Sequence, residues 1–134
     1  MKVFVDTNVL VAAFATRGLC ADVLRHILAE HQLVTGEVVL TELRRALSRR
    51  LKVPSDTVEV ILELLREHEV VPKPKAPSDL PIRDPDDRWI LASAVDAKAD
   101  VLITGDRDLL HIATSAPLRV LAPRAFWDLV RTTR

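Results

Sequence analysis

Four carboxylates, Asp6, Glu42, Asp87 and Asp106, fall where an alternating α/β chain would bring them together. Asp6 closes an apolar run, Val3-Phe4-Val5. Asp106 follows a second run, Val101-Leu102-Ile103-Thr104, after a single glycine. Asp87 lies just inside a helix start, behind a Pro-rich loop, and Glu42 borders the apolar stripe of another helix. Crowded carboxylates raise one another's pKa and disfavour the ionised fold. Such a cluster is tolerable when a cation neutralises it. Oxygen ligands without His or Cys suit Mg²⁺ or Mn²⁺ rather than Zn²⁺. Two such ions about 4 Å apart can activate water and stabilise a leaving oxygen in phosphodiester hydrolysis; a single ion is equally compatible with four acids.

Taken singly, each acid has a plainer role. Asp6 and Asp106 are natural helix caps. Asp84, Asp86 and Asp87 favour the positive end of the helix they open. Glu42 alone is an ordinary solvated helix residue. Their joint placement points to a site.

The elements that must position them alternate. Strands are predicted at residues 2–6, 33–35, 70–71, 100–104 and 119–121, with helices at 8–16, 20–32, 37–51, 56–68, 86–98, 107–114 and from Pro123 onward. The apolar stripes are Val23, Leu24, Ile27 and Leu28, then Val39, Leu43, Ala46 or Leu47 and Leu51. Two more follow, Val58, Ile61, Leu62 and Leu65, then Ile90, Leu91, Ala94 and Val95, all at helical spacing. Pro72, Pro74, Pro77 and Pro81 mark an extended loop. Strands alternating with helices predict an α/β fold, one central parallel sheet of about five strands with helices on both faces. In such sheets, continuous apolar runs are buried strands and ligands sit beyond their carboxyl ends.

Four segments together resemble the PIN-domain family: Val5-Asp6-Thr7-Asn8-Val9, then Thr41-Glu42-Leu43, then Asp84-Pro85-Asp86-Asp87-Arg88-Trp89-Ile90-Leu91-Ala92, then Ile103-Thr104-Gly105-Asp106-Arg107-Asp108-Leu109-Leu110. The likeness covers essentially the whole chain, residues 1–134, as a single PIN-like domain. It is greatest to the toxin components of toxin–antitoxin systems, related to the VapC-like ribonucleases. The resemblance implies that Asp6, Glu42, Asp87 and Asp106 are the acidic metal-binding and catalytic residues. It implies that Thr104 supports the site by hydrogen bonding and that Asn8 orients Asp6 or a bound water. Asp86 or Asp108 would stand one shell further out, and Asp84 would be a loop or cap residue. The implied activity is Mg²⁺- or Mn²⁺-dependent endoribonuclease cleavage of RNA, with a cognate antitoxin as partner and a homodimer as assembly. The alternative is a PIN-fold module that binds RNA or protein with weak or no cleavage.

Other features bound the reading. A chain of 134 residues with 49% apolar and 28% charged residues is an ordinary one-domain composition. Net charge is zero, so global charge names no partner. Arg44, Arg45, Arg49, Arg50 and Lys52 form the densest basic patch, suited to phosphate beside Glu42, although a solvated helix face has the same pattern. Cys20 is the single cysteine, which fits a reducing, cytoplasmic setting. The apolar run at 9–15 is too short to span a bilayer. Lys2 and Ala13-Phe14-Ala15 mimic parts of a signal peptide, but Asp6 and Asn8 would interrupt its apolar core. Three glycines leave no P-loop or dinucleotide motif. The four histidines lack metal spacing, and Trp89 and Trp127 read as core or interface residues. A signalling receiver domain would need an acidic pair at the first strand and a late lysine, which the sequence lacks.

Overall fold

The computed structural model describes residues 1–132. Five strands, β1 (Lys2–Val5), β2 (Gln32–Gly36), β3 (Glu69–Val71), β4 (Val101–Ile103) and β5 (Arg119–Leu121), form one sheet in the order β3-β2-β1-β4-β5. Every pairing is parallel, with Phe4 opposite Val34 on one side and Leu102 on the other. Val3, Phe4, Val5 and Val101, Leu102, Ile103 are at most 1% exposed, as continuous apolar runs at the centre of a parallel sheet should be. Helices α1 (Thr7–Ala15), α2 (Leu19–Glu30), α3 (Glu37–Arg45), α4 (Ser55–Arg66), α5 (Pro85–Asp96), α6 (Arg107–His111) and α7 (Pro123–Thr132) flank the sheet. Among the described residues no single helix is long and apolar enough to cross a membrane.

The strand order decides where a ligand can sit. The chain runs outward from β1 through β2 to β3, then returns to the other side of β1 as β4. That reversal opens a crevice beyond the carboxyl ends of β1 and β4. Asp6 follows β1 directly and Asp106 follows β4 after Thr104 and Gly105, so both stand at its mouth.

Helix faces follow the predicted stripes with three exceptions. Leu28 and Val95 are exposed, each at the far border of its stripe, beyond the arc that reaches the core. Leu51 is exposed for a different reason. The predicted single helix at 37–51 is α3 followed by a π-helical turn, Ala46–Arg50. Leu51 N–H donates to the Ala46 carbonyl five residues back. The wider turn shifts the helical phase and carries Leu51 off the stripe begun by Val39 and Leu43.

One close approach fixes α5 against the sheet. Gly36 ends β2, and a Cβ built there would overlap Ser93 Oγ and meet Val71 Cγ2 at 3.3 Å. Only a residue without a side chain lets Ser93, fully buried on α5, lie on this strand end. The packing sets the height at which the first turn of α5, with Asp87, stands above the sheet.

Candidate active site

Asp6 is the keystone. Its backbone N–H donates to Ile103 O (2.9 Å), completing the β1–β4 pairing at the sheet edge. Its carbonyl accepts from Val9 and Leu10, starting α1. The side chain is buried, and both oxygens are held. Thr7 N–H donates to Oδ1 (2.7 Å) and Thr104 Oγ1 donates to Oδ2 (2.7 Å). Thr104 Oγ1 also accepts from Asp106 N–H (3.0 Å), so one hydroxyl ties the strand-end acid of β1 to the turn after β4. Asp6 therefore caps its helix and also faces the crevice; its two roles are compatible.

Asp106 caps α6 by accepting from Asp108 N–H (2.8 Å). Asp84 caps α5 in the same way, accepting from Asp86 N–H (2.9 Å), with Pro85 in the first helical position. Asp87 then falls in the first turn of α5, buried at 6% exposure, facing inward. Asp84, Asp87 and Asp106 each offer a carboxylate oxygen within 4.8 Å of the others. Oδ2 of Asp87 is buried and has no hydrogen-bond partner. An uncompensated buried carboxylate oxygen is expensive. Here it sits beside two further carboxylates.

Glu42 approaches from α3, accepting a hydrogen bond from Thr7 Oγ1 (2.8 Å). A cleft of about 300 Å³ is lined by Asp6, Glu42, Asp84, Asp86, Asp87 and Asp106, with Thr7 and Asn8. Arg45, Arg49 and Arg50 line it too. The π-helical turn places Arg49 and Arg50 there, beside Arg45 one turn earlier. Arg44 does not line the cleft; it pairs with Glu59 of α4. Asn8 is an exposed lining residue, and the hydrogen bonds to Asp6 come from Thr7 and Thr104 instead. Asp108 contacts the site through its backbone.

The electrostatics follow from crowding. Burial pushes Asp87 up to about 8, reinforced by the Asp106 charge, by a side-chain hydrogen bond shared with Asp106 that favours the protonated form, and by the Asp6 and Asp84 charges. Burial also raises Asp6, and the Thr104 and Thr7 hydrogen bonds oppose it. Glu42 is raised by burial, against the Thr7 hydrogen bond and with the Asp6, Asp86 and Asp84 charges. Among the described residues, no basic side chain forms a salt bridge with Asp6, Asp84, Asp87 or Asp106. A hard divalent cation fits this donor set: all-oxygen, anionic, with one buried oxygen unpartnered.

Two residues of the site carry little signal in the sequence. Asp84 is a cap, as its position suggested, and also a member of the three-carboxylate cluster. Thr7 holds both Asp6 and Glu42, across 35 residues in the second case. Its only sequence signal is a hydroxyl directly after the strand-end acid.

Comparison with known proteins agrees with this fold. The structure is similar to FitAcB from Neisseria gonorrhoeae, with TM-score 0.63 at 17% identity over 90% of this chain and 97% of the other. It is similar to VapBC-1 from nontypeable Haemophilus influenzae, with TM-score 0.62 at 21% identity over 92% and 99%. It is also similar to VapBC2 from Rickettsia felis, solved bound to a DNA fragment from their promoter, with TM-score 0.59 at 15% identity over 90% and 97%. A search of curated proteins gave no match. Residues 2–108 match the PIN domain, covering most of the chain and all four of Asp6, Glu42, Asp87 and Asp106, and the protein belongs to the PIN-domain family.

Proposed function

We propose that the protein is a Mg²⁺- or Mn²⁺-dependent endoribonuclease and the toxin of a toxin–antitoxin pair. The observation that carries this is Asp87: a buried carboxylate with an unpartnered oxygen, packed against Asp84 and Asp106 where the sheet order reverses. A fold keeps such a group when a cation completes it.

Asp84, Asp87 and Asp106, whose carboxylate oxygens converge, would hold the ion, with Asp6 and Glu42 completing the acidic site beside them. When bound, a divalent ion supplies charge stabilisation at the scissile phosphate and lowers the pKa of water. The chain's own residues do the rest. Thr104 and Thr7 fix the Asp6 carboxylate so that it needs no reorganisation. Thr7 holds Glu42 at the cleft. Arg45, Arg49 and Arg50 receive the phosphates of the bound strand. Hydrolysis adds a water oxygen to phosphorus as the phosphorus–oxygen bond to the leaving ribose breaks. The water proton passes to a cleft carboxylate, and the leaving oxygen is protonated from solvent.

The toxin reading rests on the fold shared with VapBC and FitAB complexes. An antitoxin segment carrying a basic side chain would complement the uncompensated acids. A homodimer is proposed through α4, where Val60 and Leu64 stand exposed one turn apart. The lone Cys20 is consistent with work in the cytoplasm.

The test is cleavage of a panel of structured RNAs in Mg²⁺ or Mn²⁺ by folded wild type and folded Asp6→Asn, with EDTA as control. Metal-dependent cleavage lost in Asp6→Asn supports the proposal. Equal cleavage by both proteins would sink it.

A further inference from the structure

A second groove, about 280 Å³, adjoins the acidic cleft and shares Glu42, Arg45 and Asp86 with it. Helix α3 presents Val38, Thr41, Glu42 and Arg45 to it at one-turn spacing. Helix α5 contributes Asp86 and Trp89, three residues apart and so on one face. The half-buried Trp89 ring is covered by the ammonium of Lys73, 4.6 Å from the ring centroid. Lys73 is exposed and belongs to the loop that follows β3.

This is an unusual pair to find next to a phosphate-binding cleft. An exposed ammonium on a flexible stem is a weak partner for an indole face. A stacked nucleobase is a stronger one, and every base has a face to offer. Exchange of one for the other releases a cation for the phosphate beside that base. Continuity through Glu42, Arg45 and Asp86 means that a strand threading the acidic cleft runs on into this groove.

Building on the ribonuclease reading, we infer that Trp89 is the stacking platform for a nucleobase neighbouring the scissile phosphate, with Lys73 moving from the ring to that nucleotide's phosphate. The substrate is then single-stranded at the cleavage point, since a paired base cannot be splayed onto the indole. Trp89 thereby sets the register of the strand over the acids.

The chain contains two tryptophans and no tyrosine, so Trp127→Phe, on α7, leaves Trp89 as the only strong emitter. This variant is titrated in Ca²⁺ with hexa-adenylate and with an abasic ribose-phosphate hexamer, RNA integrity being checked on gels. Affinity is measured in parallel from the anisotropy of end-labelled RNA. The expected result is saturable quenching by hexa-adenylate and none by the abasic hexamer. Trp89→Ala should bind hexa-adenylate about tenfold more weakly, and Trp89→Phe should stay within about threefold of wild type. Lys73→Ala, which leaves the ring in place, should still quench while its salt dependence falls by about one phosphate contact. RNA that binds without changing Trp89 emission, or equal quenching by the abasic hexamer, would overturn the inference and leave the ribonuclease reading standing. A folded protein that neither binds nor cleaves RNA would overturn both.

Discussion

Replacing Asp87 by Asn should stabilise the metal-free protein at high pH while removing the proposed nuclease activity. In the unfolded chain Asp87 loses its proton near its usual 3.8, and in the fold it holds it to about 8. Between those values the folded state binds more protons than the unfolded state, so stability falls as pH rises. Below about 4 both states are protonated and nothing is lost. Above about 8 the full penalty applies. In a sealed site the displacement would correspond to about 6 kcal/mol. The cleft is open to water on one side, and screening reduces this to about 2 kcal/mol. Asn keeps the shape, carries no charge and can donate to Asp84 or Asp106. Metal-free Asp87→Asn should therefore match wild type within about 0.5 kcal/mol at pH 4.5 and exceed it by about 2 kcal/mol at pH 9. For a domain of this size that is a difference of about 6–8 °C in Tm. The assay is thermal unfolding in EDTA across that pH range. Adding Mg²⁺ at ten times its Kd should return about 1.4 kcal/mol to wild type. A stability gap that does not change with pH, or a wild type more stable than Asp87→Asn at pH 9, would refute the reasoning.

Thr104→Val removes the hydroxyl that holds Asp6 Oδ2 and accepts from Asp106 N–H; metal affinity by calorimetry should fall at least about tenfold, with Thr104→Ser near wild type. Gly36→Ala should destabilise the fold by about 1–3 kcal/mol in urea unfolding, because its Cβ would meet Ser93 Oγ. Ser93→Ala removes that oxygen, so the double variant should recover much of the loss, a non-additivity seen only if the clash is real. Charge reversal at Arg45 and Arg49 should weaken RNA binding uniformly across sequences and reduce the salt slope by about two contacts, measured by anisotropy at several salt concentrations. Reversal at Arg44, which pairs with Glu59 outside the cleft, should change binding far less.

The parts of this molecule that were legible from sequence are those dictated by local chemistry. Val3-Phe4-Val5 and Val101-Leu102-Ile103 can be little other than buried strands, and an acid just beyond each had to stand at one sheet edge. Asp87 could be chosen within its acidic run because the helical apolar pattern starts just after it. What stayed hidden depends on contacts distant in sequence. Thr7 meets Glu42 only once α3 packs against α1. Asp84 joins Asp87 and Asp106 only once α5 is seated on Gly36. The π-helical turn has no local signature in Ala46-Leu47-Ser48-Arg49-Arg50, yet it turns Leu51 outward and sends Arg49 and Arg50 to the cleft. Leu28 and Val95 fall outside the buried faces that their spacing predicts, because periodicity marks the centre of a buried stripe better than its border.

On this reading the fold buries Asp6 and Asp87 beside the more open Glu42, Asp84 and Asp106 in order to hold a cation. Calorimetric titration of the metal-free protein with Mn²⁺, in buffers of different ionisation enthalpy, tests it most directly. Wild type should bind saturably and release about one proton per ion at pH 7, falling toward none by pH 9.5 as Asp87 loses its proton beforehand. Asp6→Asn and Asp87→Asn should each bind at least tenfold more weakly. Absence of saturable binding by folded wild type, or equal affinity in all three proteins, would contradict the account.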